Sequence, residues 1–386
     1  MKVVIAGGGV AALEAALALQ ELAQERASVE VIAPELDFVY RPLAVTEPFR
    51  VGETRRFPLG QLVELAGATL SRGHVSGVDP ENRVLSTAEG AKHDYEALLV
   101  ALGAHPRAAL EGALTFLGPE SSAPLEALLE EALSGEVRRI VFALPSGIAW
   151  PLPLYELALL TSVFLVDRGA EVEVELVTPE DRPLGIFGAQ ASDTLAELLE
   201  ARGISCRTGM TPMAFGGGIL KVARGQEIEA DRVVALPQLE GPSLPGLPFD
   251  ADGFIPIDSH CHVESEPDVW AAGDATRFPV KQGGLATQMA DVAAAGIAAA
   301  AGVAVEVEPF RPVLRGLLLT GMVARFLRAE PGTLQSSIDT EPLWWPPAKI
   351  VGRHLAPFLA STLGLSASLP VSPEKAVAVE RDLTMH

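Results

Sequence analysis

Three consecutive glycines follow the first apolar run of the chain, and they constrain its fold more than any other feature. Residues 2–6 are predicted to form a short buried strand, residues 10–24 a helix, and residues 29–33 a second strand. The turn between the first strand and the helix has the spacing Gly7-x-Gly9-x-x-Ala12. Strand, glycine turn, helix and strand in this order predict one βαβ unit of a parallel sheet.

The spacing of the small residues indicates a dinucleotide site. Gly7 permits the tight turn, Gly9 lets the backbone approach a pyrophosphate, and Ala12 allows close packing of helix on strand. From Val10 onward, the helix start would face the phosphates with free N–H groups and the positive end of its dipole. Glu35 is the carboxylate nearest to the end of the second strand, where an acidic residue normally holds a ribose hydroxyl. A solvated loop glutamate is the alternative.

A second series of strands and helices lies near the middle of the chain. Strands are predicted over residues 139–144, 172–178 and 204–207, and helices over residues 152–168 and 190–202. This order indicates a second Rossmann-like domain. Its first turn, residues 143–153, holds one glycine and three prolines, and Trp150 lies where a pyrophosphate needs open backbone. The turn therefore argues against a second phosphate site.

Composition limits the classes of partner. The 386 residues include 29 Lys and Arg against 50 Asp and Glu, which gives a formal net charge of −21. Binding to nucleic acid or to anionic lipid requires a surface rich in Lys and Arg, so no nucleic-acid partner is expected. Two cysteines, Cys206 and Cys261, are too few for a disulfide framework, and a cytoplasmic setting is expected.

Three glycine-bearing segments together resemble those of flavoproteins with two dinucleotide-binding domains. They are residues 7–12, residues 100–104 (Val-Ala-Leu-Gly-Ala) and residues 270–275 (Trp-Ala-Ala-Gly-Asp-Ala). Within the FAD-dependent pyridine nucleotide-disulfide oxidoreductase superfamily, the chain looks most like one branch. That branch contains sulfide:quinone oxidoreductase, flavocytochrome c sulfide dehydrogenase and type II NADH dehydrogenase. The resemblance extends over residues 1–330.

This resemblance implies that FAD is held mainly by the first and third segments, with Ala101 and Gly103 of the second segment also at the cofactor. Gly273 and Asp274 would bind the ribityl and phosphate region, and the Asp274 carboxylate would accept a hydrogen bond from a hydroxyl group. A turn residue after a buried strand is the alternative for Asp274.

Five further residues are assigned to the flavin through the same resemblance. Lys281 would stabilise the reduced flavin near its N1 and C2=O atoms, aided by the backbone amide of Gly284 at the next helix start. A solvated loop lysine is the alternative for Lys281. Arg41 would lie near the flavin pyrophosphate, with a surface arginine as the alternative. The proline-rich turn would wall the flavin, with Trp150 and Tyr155 lining its pocket.

Departures from the relatives concern the electron donor. Sulfide-oxidising relatives carry a redox cysteine in a segment like Cys-Pro-x-Pro-Tyr-Glu, and the matching position here is Trp150. Their second redox cysteine is expected near the Gly-Asp motif, where this chain has Ala275 and Thr276. Sulfide oxidation through a thiolate needs a reactive cysteine beside the flavin. The NADH-oxidising relatives, in turn, carry the glycine fingerprint that the second domain lacks.

The sequence therefore predicts an α/β fold with two Rossmann-like domains and a C-terminal segment. An FAD-binding domain would comprise residues 1–108 and 237–306, a degenerate second domain residues 109–236, and a capping or interface segment residues 307–386. The expected function is that of an FAD-dependent oxidoreductase similar to sulfide:quinone oxidoreductase, without the redox cysteine pair. Its donor would be an unidentified small molecule or protein, with quinone as a candidate acceptor. The alternatives are an NAD(P)H:quinone-type reductase and a non-catalytic flavin-binding partner for electron transfer or docking.

Two segments have alternative interpretations. His260 and His262 would share one face of a strand, but two ligands are too few, and no metal is predicted. Residues 344–347 (Trp-Trp-Pro-Pro) and the apolar residues 354–365 are expected to fold onto the body of the protein. A partner or homodimer surface is the first alternative, and membrane contact is less favoured because basic residues are few.

Overall fold

The computed structural model describes residues 1–330 and 336–363. Strands and helices up to residue 107 follow the predicted order, with several short strands added. They are β1 (Lys2–Ala6), α1 (Val10–Leu22), β2 (Ser28–Ala33), β3 (Asp37–Val39), β4 (Arg56–Pro58), α2 (Leu59–Leu65), β5 (Thr69–Arg72), β6 (Val75–Asp79), β7 (Val84–Thr87), β8 (Lys92–Asp94), β9 (Ala97–Val100) and β10 (His105–Arg107).

The middle of the chain contains nine further strands and three helices. They are β11 (Leu114–Thr115), α3 (Ser122–Ser134), β12 (Arg139–Ala143), α4 (Leu152–Val166), β13 (Glu173–Val177), α5 (Ala189–Ala201), β14 (Ser205–Arg207), β15 (Pro212–Gly216), β16 (Ile219–Val222), β17 (Gln226–Glu229), β18 (Arg232–Ala235) and β19 (Gln238–Glu240). The remaining described elements are β20 (His262–Val263), β21 (Glu266–Ala271), α6 (Gly283–Ala300), β22 (Leu314–Leu318), β23 (Arg325–Ala329), β24 (Ser336–Asp339) and α7 (Leu355–Leu363).

The first sheet joins distant parts of the chain. Its strand order is β20-β21-β9-β1-β2-β5, and every neighbouring pair is parallel except β20 with β21. Residues 3–6 of β1 are fully buried, as expected for a parallel strand covered on both faces. Because β1, β9 and β21 are parallel neighbours, their carboxyl ends lie at one edge, and the three glycine-bearing segments meet there.

A second parallel sheet has the order β11-β18-β12-β13-β14. Helix α4 follows β12 and packs in the core beside it, so the α/β architecture with two parallel sheets is as predicted. Strands β10 and β19 pair with each other where the chain passes between the two sheets. We propose domain boundaries at 108/109 and 236/237, next to this pair.

The C-terminal part forms an antiparallel sheet, β22-β23-β24. Gly316 of β22 lies where a side chain would collide with Phe187, so the sheet packs closely on the second domain. The Trp344 ring contacts Phe326 edge-on at 5.0 Å between ring centres, and Trp345 remains 60% exposed. The described part of the tail thus packs on the body of the protein.

The strand predicted over residues 260–262 begins only at His262, the first residue of β20, so the prediction is wrong for His260 and Cys261. Cys261 has a φ of +62° and lies in a turn, in which the Asp258 side chain accepts hydrogen bonds from the backbone amides of residues 260 and 262. The turn forms because one carboxylate oxygen accepts hydrogen bonds from two backbone amides, of residues 260 and 262, that a regular strand would pair with a neighbouring strand. The His262 ring instead lies 4.5 Å from the ring of Trp270.

Within the residues described, no helix combines the length and the apolar character required to cross a membrane.

Candidate functional site

The turn at residues 7–9 requires glycine for two different reasons. Gly7 has a φ of +119°, and a Cβ atom there would lie 2.3 Å from the carbonyl oxygen of Ala101. A Cβ atom on Gly9 would meet nothing within 4 Å. Gly7 therefore lets β1 and β9 approach, whereas the space beside Gly9 is open to a ligand.

Helix α1 begins beside this open space. No side chain caps its first turn, so the amides that follow Gly9 are available to a ligand. Gly273, with a φ of +74°, lies in close contact with Ala11 of α1 and Ala286 of α6. The backbone amides at the start of α1 are uncapped, the space beside Gly9 is open, and Gly273 allows α1 and α6 to approach. These features fit the pyrophosphate of a dinucleotide such as FAD. Glu35 is exposed in the loop after β2, and its contact with a ribose stays a prediction.

A cavity of about 280 Å³ lies where the two sheets and the C-terminal segment meet. Four of the predicted site residues line it, and they are Arg41, Trp150, Asp274 and Lys281. Gly283 lines it at the start of α6, whereas the neighbouring Gly284 is buried. The structure thus brings the predicted polar groups to one cavity, at the carboxyl edge of the first sheet.

Lys281 is buried in this wall. Its Nζ atom donates a hydrogen bond to the backbone oxygen of Thr276 and lies 3.7 Å from the ring centre of Phe254. Burial lowers the pKa of Lys281 to about 8, although the carboxylates of Asp274 and Asp250 oppose this shift. Burial likewise raises the pKa of Asp274. A poorly solvated ammonium group interacts more strongly with a developing negative charge than an exposed one.

Tyr155 does not line the cavity, which corrects the prediction for this residue. Its hydroxyl donates a hydrogen bond of 2.5 Å to Glu180 inside the second domain, and burial raises its pKa. The next residue, Glu156, lines the cavity instead. Helix α4 is apolar on all sides, so its sequence pattern did not show which face turns to the cavity.

Glu156 forms an ion pair that the sequence analysis did not predict. Both of its carboxylate oxygens lie 2.6 Å from Nζ of Lys349, and one also accepts a hydrogen bond of 2.8 Å from the amide of Leu319. Burial raises the pKa of Glu156 and lowers that of Lys349. The pair is therefore a buried ion pair at the cavity wall, and burial disfavours the charged form of each partner. One signal was available, because Glu156 is the only charged residue in α4 and a buried charge requires a partner.

Neither cysteine lines the cavity. Burial raises the pKa of Cys206 to about 11 and that of Cys261 to about 12, so both thiols are protonated at neutral pH. Cys261 is fully buried beneath the first sheet. A protonated, buried thiol is a poor nucleophile.

The second domain has its own groove, of about 620 Å³, lined by the proline-rich turn and by residues 179–182. Ile148 and Ala149 border both this groove and the cavity. Trp150 follows them in the cavity wall and contacts Phe187 edge-on, with 5.8 Å between ring centres. The turn therefore stands between the groove and the cavity.

A third group of polar side chains joins α1, α6 and α7. Glu14 is fully buried, and its two oxygens accept hydrogen bonds of 2.8 and 2.6 Å from the amides of His354 and Leu355. Asp291 and His354 place ligand atoms within 4.8 Å of the Glu14 carboxylate, a separation that also suits a metal ion. Because the Glu14 oxygens already bind the first amides of α7, we interpret the group as a cap of that helix.

Comparisons with known proteins agree with this geometry. Two curated relatives from Mycobacterium tuberculosis are NADH dehydrogenase-like proteins, and the one from strain H37Rv is 26% identical over 71% of this chain and 72% of its own. The solved sulfide:quinone oxidoreductase from Aquifex aeolicus has a TM-score of 0.79 at 19% identity, over 88% of this chain and 87% of its own. A ferredoxin reductase from Rhodopseudomonas palustris has a TM-score of 0.64 at 19% identity, over 86% and 83%.

The family of pyridine nucleotide-disulphide oxidoreductases matches residues 1–140 and 156–299. The interruption at residues 141–155 falls on the end of β12 and the proline-rich turn that follows it. The match covers all three glycine-bearing segments and the strands of both parallel sheets except residues 141–143 of β12. The chain belongs to the family of pyridine nucleotide-disulphide oxidoreductases and is an FAD-dependent oxidoreductase.

Proposed function

We propose that the 280 Å³ cavity would hold a substrate in direct contact with bound FAD, so that electron transfer needs neither a thiol relay nor a nicotinamide nucleotide in the second domain. One observation carries this proposal. The cavity wall holds Trp150 where sulfide-oxidising relatives have a cysteine, and it contains no cysteine among the residues described. FAD supplies two-electron chemistry when it is bound.

The chain's own residues supply charge and protons. Lys281 and the start of α6 place positive charge on one wall of the cavity, where it would stabilise an anionic reduced cofactor. Glu156 and Lys349 hold a proton on another wall. A quinone takes up two electrons and two protons when it becomes a quinol. Bound FAD in its anionic reduced form would carry both electrons and one of these protons, and the Glu156–Lys349 pair would donate the other, so the pair suits a quinone as the electron acceptor.

The NAD(P)H-dependent alternative finds support in the names of the curated relatives. Against it, Pro145, Pro151 and Pro153 remove N–H donors from the turn that would bind a pyrophosphate. A nucleotide in the second-domain groove would also have to pass Ile148 and Ala149 to reach the cavity. We therefore expect NADH and NADPH to bind with millimolar or weaker affinity.

The test uses the FAD-loaded protein under anaerobic conditions. NADH, NADPH, sulfide and a reduced ferredoxin-type carrier are mixed with it separately, and the flavin absorbance is followed. We expect neither nucleotide to bleach the flavin, and sulfide to act by no route sensitive to thiol alkylation. Micromolar binding of NADH with rapid bleaching would replace this proposal with the NAD(P)H-dependent one. Reduction by the protein carrier alone would favour a docking function for the second domain.

A further inference from the structure

The charge of the cavity wall is opposite to that of the chain. The whole protein has a formal charge of −21, but the residues that line the cavity comprise four cations and two carboxylates. Lys349 is neutralised by Glu156, and Lys281 faces the negative charge of Asp274. Two arginines, Arg41 and Arg315, remain without a matching acid on the wall. An excess of positive charge at one cavity of an acidic protein indicates an anionic ligand.

Arg315 lies in β22 and is partly buried. Across the sheet it pairs in register with another cation, Arg328, which lies 2.8 Å from Glu330 in an ion pair of its own. Within residues 1–330 and 336–363, Arg315 forms no salt bridge or side-chain hydrogen bond. Burial and the charge of Arg328 both lower the pKa of Arg315, and the carboxylate of Glu330, which is paired with Arg328, only partly opposes this shift. A guanidinium group placed in this way gains stability when an anion binds to it.

The neighbours of Arg315 locate it between two helix starts. Its backbone oxygen accepts a hydrogen bond of 2.8 Å from Gln282, the residue that caps α6 next to Lys281. The following residue, Gly316, packs against Leu152 at the start of α4. Both helix starts present the positive end of a dipole, which adds to the attraction for a negative group.

The rest of the wall is largely apolar. Arg41 is exposed and has its own expected partner, the cofactor pyrophosphate, so Arg315 is the cation left for the substrate. Apolar and aromatic side chains line the same cavity, namely Phe116, Ile148, Trp150, Leu236, Leu239 and Leu317. We propose that Arg315 binds the acidic group of the substrate, which is an apolar molecule carrying one carboxylate or sulfonate. This inference rests on the proposed function, since it identifies the substrate class for the same cavity.

The binding test needs no turnover. Naphthalene-2-sulfonate and its neutral analogue naphthalene-2-sulfonamide are titrated calorimetrically into the FAD-loaded protein. We expect the sulfonate to bind the wild type at least about tenfold more tightly, the ratio expected when one charge-assisted hydrogen bond is lost. Arg315→Gln should remove this preference, and Arg315→Lys should restore part of it. Arg325→Gln is the matched control, because it removes a charge from the same sheet at a position that faces Leu318 and lies outside the cavity, and it should change binding less than about twofold.

Equal affinity of the wild type for the two probes would overturn the inference, as would an unchanged preference in Arg315→Gln. Flavin content and melting temperature are measured for each variant. If Arg315→Gln does not fold, the wild-type ratio and the Arg315→Lys variant still decide the question. A separate experiment mixes photoreduced protein with 1,4-naphthoquinone-2-sulfonate or 1,4-naphthoquinone. If neither quinone reoxidises the flavin while the sulfonate preference persists, the quinone acceptor is wrong and the anion site stands.

Discussion

Replacement of Gly9 by valine should separate cofactor binding from folding. At Gly9 the backbone is extended, with φ −89° and ψ −163°, and an added Cβ atom meets nothing within 4 Å. Valine adopts this conformation without strain, so the apoprotein should lose about 0.5–1 kcal/mol through a poorer helix cap. The branched side chain would occupy the space through which the pyrophosphate reaches the amides of α1. Loss of two charge-assisted hydrogen bonds, about 1.5–3 kcal/mol each, weakens FAD binding by about 100-fold to 10,000-fold.

Gly7→Val is the matched control, because it changes the same turn in the opposite way. Gly7 has a φ of +119°, and a Cβ atom there would lie 2.3 Å from the carbonyl oxygen of Ala101. Valine at this position should therefore destabilise the fold itself by about 3 kcal/mol or more. FAD occupancy is read from the absorbance ratio after gel filtration, and apoprotein stability from chemical denaturation. Full occupancy in Gly9→Val, or an apoprotein as unstable as Gly7→Val, would refute the assignment of the open space to the cofactor.

Three more variants test other parts of the structure. Lys349→Met leaves Glu156 buried without its partner and should lower the unfolding free energy by about 3–5 kcal/mol. Adding Glu156→Gln in the same chain should restore much of this loss. Denaturant titration of the single and double variants measures both effects. Burial and the neighbouring Glu14 raise the pKa of Asp291 from 3.8 to about 8, so the folded state holds an extra proton and its stability should fall as pH rises from 4 to 8. Asp291→Asn should reduce this slope and raise the melting temperature at pH 8 but not at pH 4, and an equal shift at both pH values would contradict the argument. Cys206→Ser and Cys261→Ser should retain flavin reduction by whichever donor is found, and loss of a sulfide–quinone activity in either variant would show that a thiol takes part.

The sequence was sufficient to predict the two parallel sheets and the first glycine turn. Gly7, Gly9 and the buried strand before them interact within one βαβ unit, so their spacing alone carries the information. It was also sufficient to predict that Arg41, Trp150, Asp274 and Lys281 share one site, but only through the resemblance to a known family. Composition and spacing by themselves do not relate four segments that lie so far apart in the chain.

The errors have physical causes. Tyr155 was placed at the cavity and Glu156 was not, because α4 is buried on every side and has no polar face to orient it. Lys349 was missed because its partner is distant in sequence, and ion pairs between distant segments leave no periodic pattern. The strand predicted at Cys261 failed because the short-range hydrogen bonds of Asp258 dominate over the alternation of polar and apolar residues.

The cavity draws its walls from both ends of the described chain, and this affects the order of events during synthesis. Arg41 leaves the ribosome early, whereas Lys281, Arg315 and Lys349 follow only after the whole second domain has emerged. Until then Glu156 has no cation to neutralise it, and burial of its charge at the start of α4 would be unfavourable. Cofactor binding and packing of the second domain against the first are therefore late steps of folding, completed only when the segment that carries Lys349 has been synthesised.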